Sequence, residues 1–313
     1  KSRRVWAACL IAAAALVAAP RAGSAFANTG LHATTTLLQS WHLSLALPGT
    51  RPREVARQAE SQEAADARER FLRALKESEG DWRSDAVTAE LGKLQEANPT
   101  ADPAFTGDYL DADWLQVSSP DYNFGTQGST EYTLGQLSFN MYEPKDMKMK
   151  IDKTTQLVKP IDGSKGTRSW DITLHLTAVD ERYPAFKAKL TTFGVIKPGK
   201  DKQGKNNRLD VSFERGTLNP APDTDKETLA KWLDVFGAAL QGRKRTLGSV
   251  LMNGMLRLMM GLRLPAGIDK DGTMTFEMRK PPHGYTDILY IDDKLRVTRG
   301  NRGSIVAVTR TAP

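Results

Sequence analysis

The sequence predicts a mainly β protein with helices near its N-terminal end and an antiparallel barrel or sandwich of about eight to ten strands. Three observations predict this class. Residues 52–98 have the composition and periodicity of helices, apolar and polar residues alternate from Trp114 onward, and turn-rich segments such as "IDGSKG" and "KPGKDKQGKNN" separate the alternating stretches. An antiparallel barrel of about eight strands can hold one small ligand in its interior.

The first 27 residues have the features of an export signal. A basic start precedes the apolar run Val5–Ala19, and Ala25–Ala27 has the small-x-small pattern of a signal-peptidase site. The run is shorter than the roughly 20 residues that cross a bilayer. We therefore expect residues 1–27 to be a cleaved targeting segment, with an N-terminal membrane anchor as the alternative. Arg3-Arg4 before the run is compatible with twin-arginine export.

The remaining chain is close to neutral. Without the four basic residues of the targeting segment, 40 basic residues stand against 37 acidic ones, a net charge of +3. This balance does not indicate a nucleic-acid partner. The single cysteine, Cys9, also lies in that segment, so we expect no disulfide and no thiolate chemistry in the mature protein.

Two helices are predicted after a poorly ordered lead-in over residues 28–51. The first covers residues 52–79, which are rich in Ala, Glu and Arg. The second begins after Ser84, a good N-cap residue, and ends near Ala97, before Pro99. Residues 52–98 thus form an N-terminal helical region, and a short polar linker joins it to the β region of residues 107–313.

The β region consists of short alternating stretches with one helical interruption. "QLSFNMY", "SWDITLHLTA", "RLDVSFE" and "TMTFEMR" each place apolar residues at every second position, as strands with one buried face do. Residues 224–264 change to a helical period and form a predicted helical insertion before the last strands. Its second half, 246–264, is rich in Leu and Met.

The C-terminal stretch "DILYIDDKLRVTRGNRGSIVAVTR" reads as strands joined by turns. Its period predicts that Leu295 and Val297 point into the barrel and that the arginines point outward. A salt-bridged hairpin that closes the barrel accounts for the charges without chemistry. Asp292 and Arg296 remain functional candidates at the barrel rim.

This C-terminal stretch resembles the end of the plastid lipid-associated proteins, or fibrillins. The resemblance rests on an aromatic-Asp-x-x-Tyr-Leu-Asp segment followed by Leu-Arg-x-x-Arg-Gly, with Tyr285 in place of a usual tryptophan and Ile291 in place of a usual leucine. The helix ending in "LGKLQEANPTADP" is also similar to the family, and Trp114 is retained from an expected aromatic strand. The matching residues of the C-terminal motif are Tyr285, Asp287, Tyr290, Asp292, Leu295, Arg296, Arg299 and Gly300.

The resemblance implies a lipocalin-like antiparallel β-barrel of about eight to ten strands that binds hydrophobic molecules. It also implies a chloroplast protein associated with thylakoids or plastoglobules, and with the targeting segment it favours the thylakoid lumen; a bacterial periplasmic protein is the alternative. The function expected is a non-catalytic carrier of a lipid, carotenoid or quinone. The expected ligand contacts on the apolar strand faces are Phe139, Met141, Trp170, Leu174, Phe213 and Phe276. Two alternatives stay open: a lumenal lipocalin-fold enzyme that acts on a xanthophyll or lipid, and a structural coat protein of lipid globules.

The Met-rich helix 246–264 has three interpretations. It packs as a buried core helix, it lies on a membrane or lipid-globule surface, or it covers the barrel mouth. Methionine-rich faces adapt to variable apolar partners. The membrane interpretation assigns the contact to Arg245, Met255, Arg257, Met259 and Met260.

The sequence has no recognisable catalytic or metal-binding signature. His32, His42, His175 and His283 are dispersed and none has a partner at metal-ligand spacing. Nucleotide-binding glycine patterns and a nucleophile elbow are also absent from the sequence. We therefore expect neither a cofactor nor a metal, and the sequence does not determine the oligomeric state.

Overall fold

The computed structural model describes residues 52–122, 131–164, 166–242, 258–281 and 283–311, with side chains from residue 62 onward. Contacts between Cα atoms divide the chain after Ala59, and the account below concerns the unit Glu60–Pro313. The predicted targeting segment 1–27 and lead-in 28–51 lie outside the described residues.

The N-terminal helices lie where the sequence predicts them. Helix α1 covers Pro52–Glu77 and helix α2 covers Asp85–Glu96. The Ser84 hydroxyl accepts a hydrogen bond from the Val87 amide, so it caps α2 as its residue type suggests. A short 3₁₀ turn, Pro103–Phe105, and a single helical turn, α3 at Gly107–Leu110, lead from α2 to the first strand.

Within the described residues, eleven strands form one antiparallel sheet, which confirms the mainly β class. Two further helices, α4 (Leu134–Leu137) and α5 (Lys226–Gln241), interrupt the strand series. In chain order the strands are β1 Ala112–Gln116, β2 Glu131–Thr133, β3 Lys148–Pro160, β4 Arg168–Ala178, β5 Lys187–Gly199, β6 Arg208–Pro220, β7 Leu262–Arg263, β8 Met274–Met278, β9 His283–Ile291, β10 Leu295–Gly300 and β11 Ile305–Arg310.

The strand pairing returns on itself. Eight strands follow one another in the order β5-β4-β3-β1-β11-β10-β9-β6, and β6 pairs again with β5. We call this closed set the eight-strand ring. The C-terminal half of β6 also pairs with β8, which continues to β7, and β2 pairs with β3. The ring therefore has an inner face and an outer face along each strand.

Three apolar clusters stabilise this arrangement. Cluster A joins the inner face near one end of the ring to α4 and α5, and includes Leu174, Leu218, Trp232 and Phe276. Cluster B joins inner-face residues near the other end, around Trp114. Cluster C lies on the outer face, where α1 and α2 pack against β9, β10 and β11.

The prediction that "QLSFNMY" is a strand is wrong. Leu134–Leu137 is a helical turn, which begins because the Thr133 hydroxyl accepts from the Gln136 amide while the Gln136 side chain accepts from the Thr133 amide. Phe139 then takes a positive φ of 52° and is 62% exposed. Local capping therefore overrides the alternating pattern at this segment.

The predicted limits of the Met-rich helix are also wrong at its C-terminal end. Residues 243–257 lie outside the described residues, and 258–260 are helical. Gly261 has a positive φ of 61°, which ends a helix. Leu262 and Arg263 then form β7 and pair with Met278 and Glu277 of β8.

The faces of the C-terminal hairpin are opposite to those predicted. Leu295 and Val297 pack against α1 and α2 on the outer face, in cluster C. Arg296 lies between them in sequence, so its side chain points to the inside of the ring. The prediction failed because the N-terminal helices bury the outer face, which leaves both faces of β10 buried and makes alternation uninformative about direction.

Candidate functional site

The inside of the ring near cluster B contains a polar group built from distant parts of the chain. Trp114 on β1 pairs with Gln156 on β3, and Arg296 on β10 pairs with Val308 on β11. Directly paired residues share one face of a sheet. β3 and β10 are separated in the ring by β1 and β11, so a side-chain contact between them must cross the interior.

Arg296 makes that contact. Its Nη2 donates a hydrogen bond to Gln156 Oε1, and the same oxygen accepts from Trp170 Nε1 at 3.0 Å. The guanidinium carbon lies 5.0 Å from the ring centroid of Trp114 and 5.8 Å from that of Trp170. Cation–π attraction of this kind helps to hold an arginine between aromatic rings. We call these four residues the arginine site.

The charge of Arg296 has no opposite charge beside it in the described part of the chain. Arg296 is only 2% exposed, and among the described residues no carboxylate lies within ion-pair distance of it. Burial lowers the pKa of the Arg296 guanidinium to about 9. Its Nε is buried and has no hydrogen-bond partner within the described chain. By contrast, Arg68, Arg168 and Arg208 each pair with an aspartate.

A second unsatisfied polar group faces the same interior. Thr154 precedes Gln156 by two residues on β3, and its buried hydroxyl has no partner among the described residues. Thr298, which follows Arg296 by two residues on β10, is also buried. Buried polar groups without partners are rare in folded proteins, and several in one place indicate a functional site.

The layer between the two inner clusters is open to solvent. Leu174 belongs to cluster A and Trp170 packs against cluster B, but Ile172, between them on the same face of β4, belongs to neither. Ile172 and its inward-facing partner Thr192 on β5 are only half-buried. Solvent therefore reaches the inside of the ring at this level.

The expected ligand contacts divide into three groups. Trp170 and Phe213 line the interior beside the open layer, are half-buried, and contact each other with ring centroids 6.0 Å apart. Leu174, Phe276 and Met141 are buried in cluster A. Phe139 is exposed on a turn, so its expected place on a strand face inside the barrel is wrong.

The motif residues at the C-terminal hairpin serve mainly as outer-face contacts. Arg208 Nε and Nη2 donate to the two oxygens of Asp287 at 2.7 and 2.9 Å. Arg299 is exposed. Only Arg296 among these residues points into the ring, and it lies in the interior instead of at a rim.

Asp292 and Tyr290 form a buried connection to α1. Asp292 forms an ion pair with Arg68 of α1, and the Tyr290 hydroxyl donates to Asp292 at 2.6 Å. The other carboxylate oxygen accepts from the amides of Lys294 and Leu295, both at 2.7 Å. Burial, with the hydrogen bond to Asp292, raises the pKa of Tyr290. This arrangement holds the hairpin bend against the helix.

The expected membrane contacts are only partly described. Arg245, Met255 and Arg257 lie outside the described residues. Met259 is exposed and Met260 is half-buried. Membrane contact by this segment stays a prediction. Within the part of the chain that the structure describes, no helix is both long and apolar enough to cross a bilayer.

A groove of about 410 Å³ lies on the outer face, between β3, β4, β5 and the segment after β6. Lysines and aspartates line it together with His175. The pKa of His175 is lowered by burial and by Lys153 and Lys189. His175 points outward, and its Nε2 lies 3.5 Å from the Thr155 hydroxyl on β3, at the limit of a hydrogen bond.

Sequence reasoning missed Gln156 and Thr154. A β-bulge between Ile151 and Lys153 shifts the alternation of β3 by one residue. Counting in twos from Met149 therefore assigns Thr154 and Gln156 to the wrong face. The sequence did contain a signal, because Thr154 and Gln156 are in phase with the apolar Val158. That signal identifies them as inward-facing only when the position of the bulge is known.

Comparison with known proteins identifies no relative: no family model, curated protein or solved structure matches the chain. In the described residues, no group of three or more His, Cys, Asp or Glu side chains could hold a metal ion.

Proposed function

We propose that the eight-strand ring is a lipocalin-like barrel and that the protein is a non-catalytic carrier of a hydrophobic small molecule, such as a lipid, carotenoid or quinone. The observation that carries this proposal is the open layer between the two inner clusters. A closed sheet with a filled core would bury Ile172, whereas here it is half-buried. Ligand sites are typically apolar hollows with a few polar groups that fix orientation.

The lining of this layer suits an apolar ligand. Ile172, Trp170, Phe213 and Val306 contribute apolar inward-facing surface that is only partly buried. Each square ångström of such surface removed from water contributes roughly 25 cal/mol to binding. A hydrophobic ligand that covers these side chains therefore removes their apolar surface from water, and this burial favours the bound state.

The cellular setting is a proposal that rests on the fibrillin resemblance and on residues 1–27 together. It assigns the protein to the chloroplast, in or on thylakoids, with peripheral contact to a membrane or lipid globule. Isolation of the mature protein and sequencing of its N-terminus tests the targeting part. A terminus immediately after Ala27 supports export with cleavage, and an intact Val5–Ala19 run requires a membrane-anchored form instead.

The carrier proposal is tested by native purification from a thylakoid-containing host, followed by mass spectrometry of the co-purified small molecules. One stoichiometric hydrophobic compound is the expected result. Purified protein without any lipid or pigment contradicts the carrier function and favours a structural coat. Chemical conversion of the bound compound by the pure protein favours the enzyme alternative.

A filling substitution locates the site. Ile172→Trp places a large ring in the open layer, and we expect it to reduce ligand affinity by about tenfold or more, because the ring occupies ligand volume. Leu157→Trp is the matched control, since Leu157 is also half-buried but lies on the outer face of the neighbouring strand. Equal affinities of the two variants place the ligand outside the ring.

A further inference from the structure

We propose that the arginine site binds the carboxylate head group of an amphipathic ligand whose apolar tail lies in the open layer. This inference rests on the proposed carrier function and narrows its ligand class from any hydrophobic molecule to a long-chain carboxylic acid. The residues that carry it are Arg296, Gln156, Trp114 and Trp170.

The first step is the uncompensated charge. Removing a charged group from water costs several kcal/mol even after relaxation, and proteins normally offset this cost with a counter-charge. Arg168, the other buried arginine on the inner face of a ring strand, follows this rule, since its Nε lies 2.6 Å from Asp111. Arg296 has no such partner in the described chain. A bound anion is the partner that its environment lacks.

The second step is the geometry of the free donor. An arginine binds a carboxylate through two parallel N–H groups, and Arg208 shows this with Nε and Nη2 on Asp287. In Arg296 the corresponding Nη2 donates to Gln156, while Nε has no acceptor. The Gln156 oxygen thus takes the position of one carboxylate oxygen, and the adjoining Nε is a buried donor without an acceptor in the described chain.

The third step is rigidity. Gln156 Oε1 is fixed by its second hydrogen bond, from Trp170 Nε1. Trp114 is held by a hydrogen bond from its Nε1 to the Leu110 carbonyl at 3.1 Å. The guanidinium is therefore positioned before a ligand arrives, which reduces the entropic cost of binding.

Charge balance favours a carboxylate over a phosphate. One arginine neutralises a monoanion, whereas a phosphate monoester carries close to two negative charges at neutral pH. The other nearby guanidinium, Arg310, lies 5.4 Å from the Trp114 ring centroid and already donates to the carbonyls of Asp108 and Tyr109. A phosphate at Arg296 would therefore need a second positive charge, and Arg310, whose Nε has no partner in the described chain, directs its Nη2 to these two carbonyls.

The position of the site fixes the direction of the ligand. Trp170 is the residue of the arginine site on β4, and Ile172 is the next inward-facing residue on that strand. Phe213 contacts Trp170 from β6. A carboxylate at Arg296 therefore places the tail along Trp170 toward the half-buried layer, where apolar surface remains uncovered.

The test compares three ligands with one chain length, namely laurate, dodecanol and dodecyl phosphate, and measures affinity by titration calorimetry and tryptophan quenching. We expect laurate to bind about tenfold to a hundredfold more tightly than dodecanol, which is the contribution of one charge-assisted hydrogen bond. Arg296→Met should remove this preference, so that laurate and dodecanol bind with similar affinity. Arg208→Met is the control, because it removes an outer-face arginine of the same ring.

The outcomes separate this inference from the carrier function. If all three ligands bind with equal affinity, the carrier function stands and the carboxylate site is wrong. If none binds, the carrier function itself fails for such chains. Tighter binding of dodecyl phosphate than of laurate also overturns the carboxylate assignment.

Folding of the variants is checked independently. Arg296→Met removes an uncompensated buried charge, so its melting temperature without ligand should be higher than that of the wild type, and a lower value contradicts the description of Arg296 as unpaired. Arg296→Lys provides a second variant, since a lysine keeps the charge but loses the two-donor fork. It should retain only part of the laurate preference, and full retention would show that the fork is not used.

Discussion

The two adjacent aspartates of the C-terminal bend offer a direct test of the fold, because the structure assigns them opposite importance. Asp292 has a side chain that is 8% exposed and forms an ion pair with Arg68. Asp293 has a side chain that is 67% exposed, and its nearest oxygen lies 4.0 Å from Arg68. We predict that Asp292→Ala destabilises the protein strongly and that Asp293→Ala does not.

The magnitude follows from the contacts of Asp292. Its carboxylate accepts hydrogen bonds from the Tyr290 hydroxyl and from two backbone amides in addition to the Arg68 ion pair. Removing one member of a buried ion pair costs about 3–5 kcal/mol, because the remaining charge is left uncompensated. Arg68 is 12% exposed, so some water reaches it, and we expect a loss of about 3 kcal/mol. The exposed Asp293 should contribute no more than about 0.5 kcal/mol.

Urea denaturation of both variants measures these differences, provided that the slope of unfolding free energy against urea concentration is unchanged. An Arg68→Met, Asp292→Ala double-mutant cycle isolates the pair itself, and we expect a coupling of at least about 1 kcal/mol. Equal stability of Asp292→Ala and Asp293→Ala would refute the connection between the hairpin and α1. Ligand affinity should stay unchanged in both, since neither side chain points into the ring.

Three further predictions address the interior and the turns. Burial lowers the pKa of Arg296 to about 9, well below the ordinary arginine value, so above that pH the unfolded state binds more protons than the folded state and stability rises with pH. The stability difference between Arg296→Met and wild type should therefore narrow from about pH 8 to about pH 11 in denaturation curves, and a constant difference would contradict the lowered pKa. Gly216→Ala should cost about 1–3 kcal/mol because its Cβ would lie 2.3 Å from the Phe276 ring. Gly284→Ala should be neutral because a Cβ there meets nothing within 4 Å, and similar losses in the two variants would contradict the packing of Phe276 against Gly216. Phe139→Ala should change the unfolding free energy by less than about 0.5 kcal/mol because the side chain is exposed, whereas Phe276→Ala should reduce it by about 3–5 kcal/mol because the side chain is buried in cluster A. A large loss of stability in Phe139→Ala would contradict the exposed turn.

The local elements could largely be predicted from the sequence. Helix α2 begins after Ser84 and ends at Glu96 because capping and helical period act within a few residues. Most strands lie where alternation predicts them, since a half-buried strand imposes a period of two. Where a strong local signal opposed the alternation, as the Thr133–Gln136 capping box does, the alternating pattern misled us.

The site could be predicted only in part. Trp170 and Phe213 were expected to line the interior because large apolar residues in alternating strands generally face a core or cavity. Gln156 was missed because one extra residue at the bulge of β3 reverses every later side chain. Arg296 was identified as a candidate, yet its direction was predicted wrongly, since its neighbours Leu295 and Val297 are buried on the other face.

The sequence by itself determined the class of fold, the order of helices and strands, and the residues that could carry function. Those properties depend on interactions between residues close together along the chain. Only the tertiary structure decided which face of each strand points inward, because helices α1 and α2 bury the outer face of β9, β10 and β11. It also brought Gln156 and Arg296 into contact across 140 positions of sequence, which no local period encodes. For that reason a charged hairpin that looks ordinary in sequence supplies a buried, uncompensated arginine to the inside of the ring.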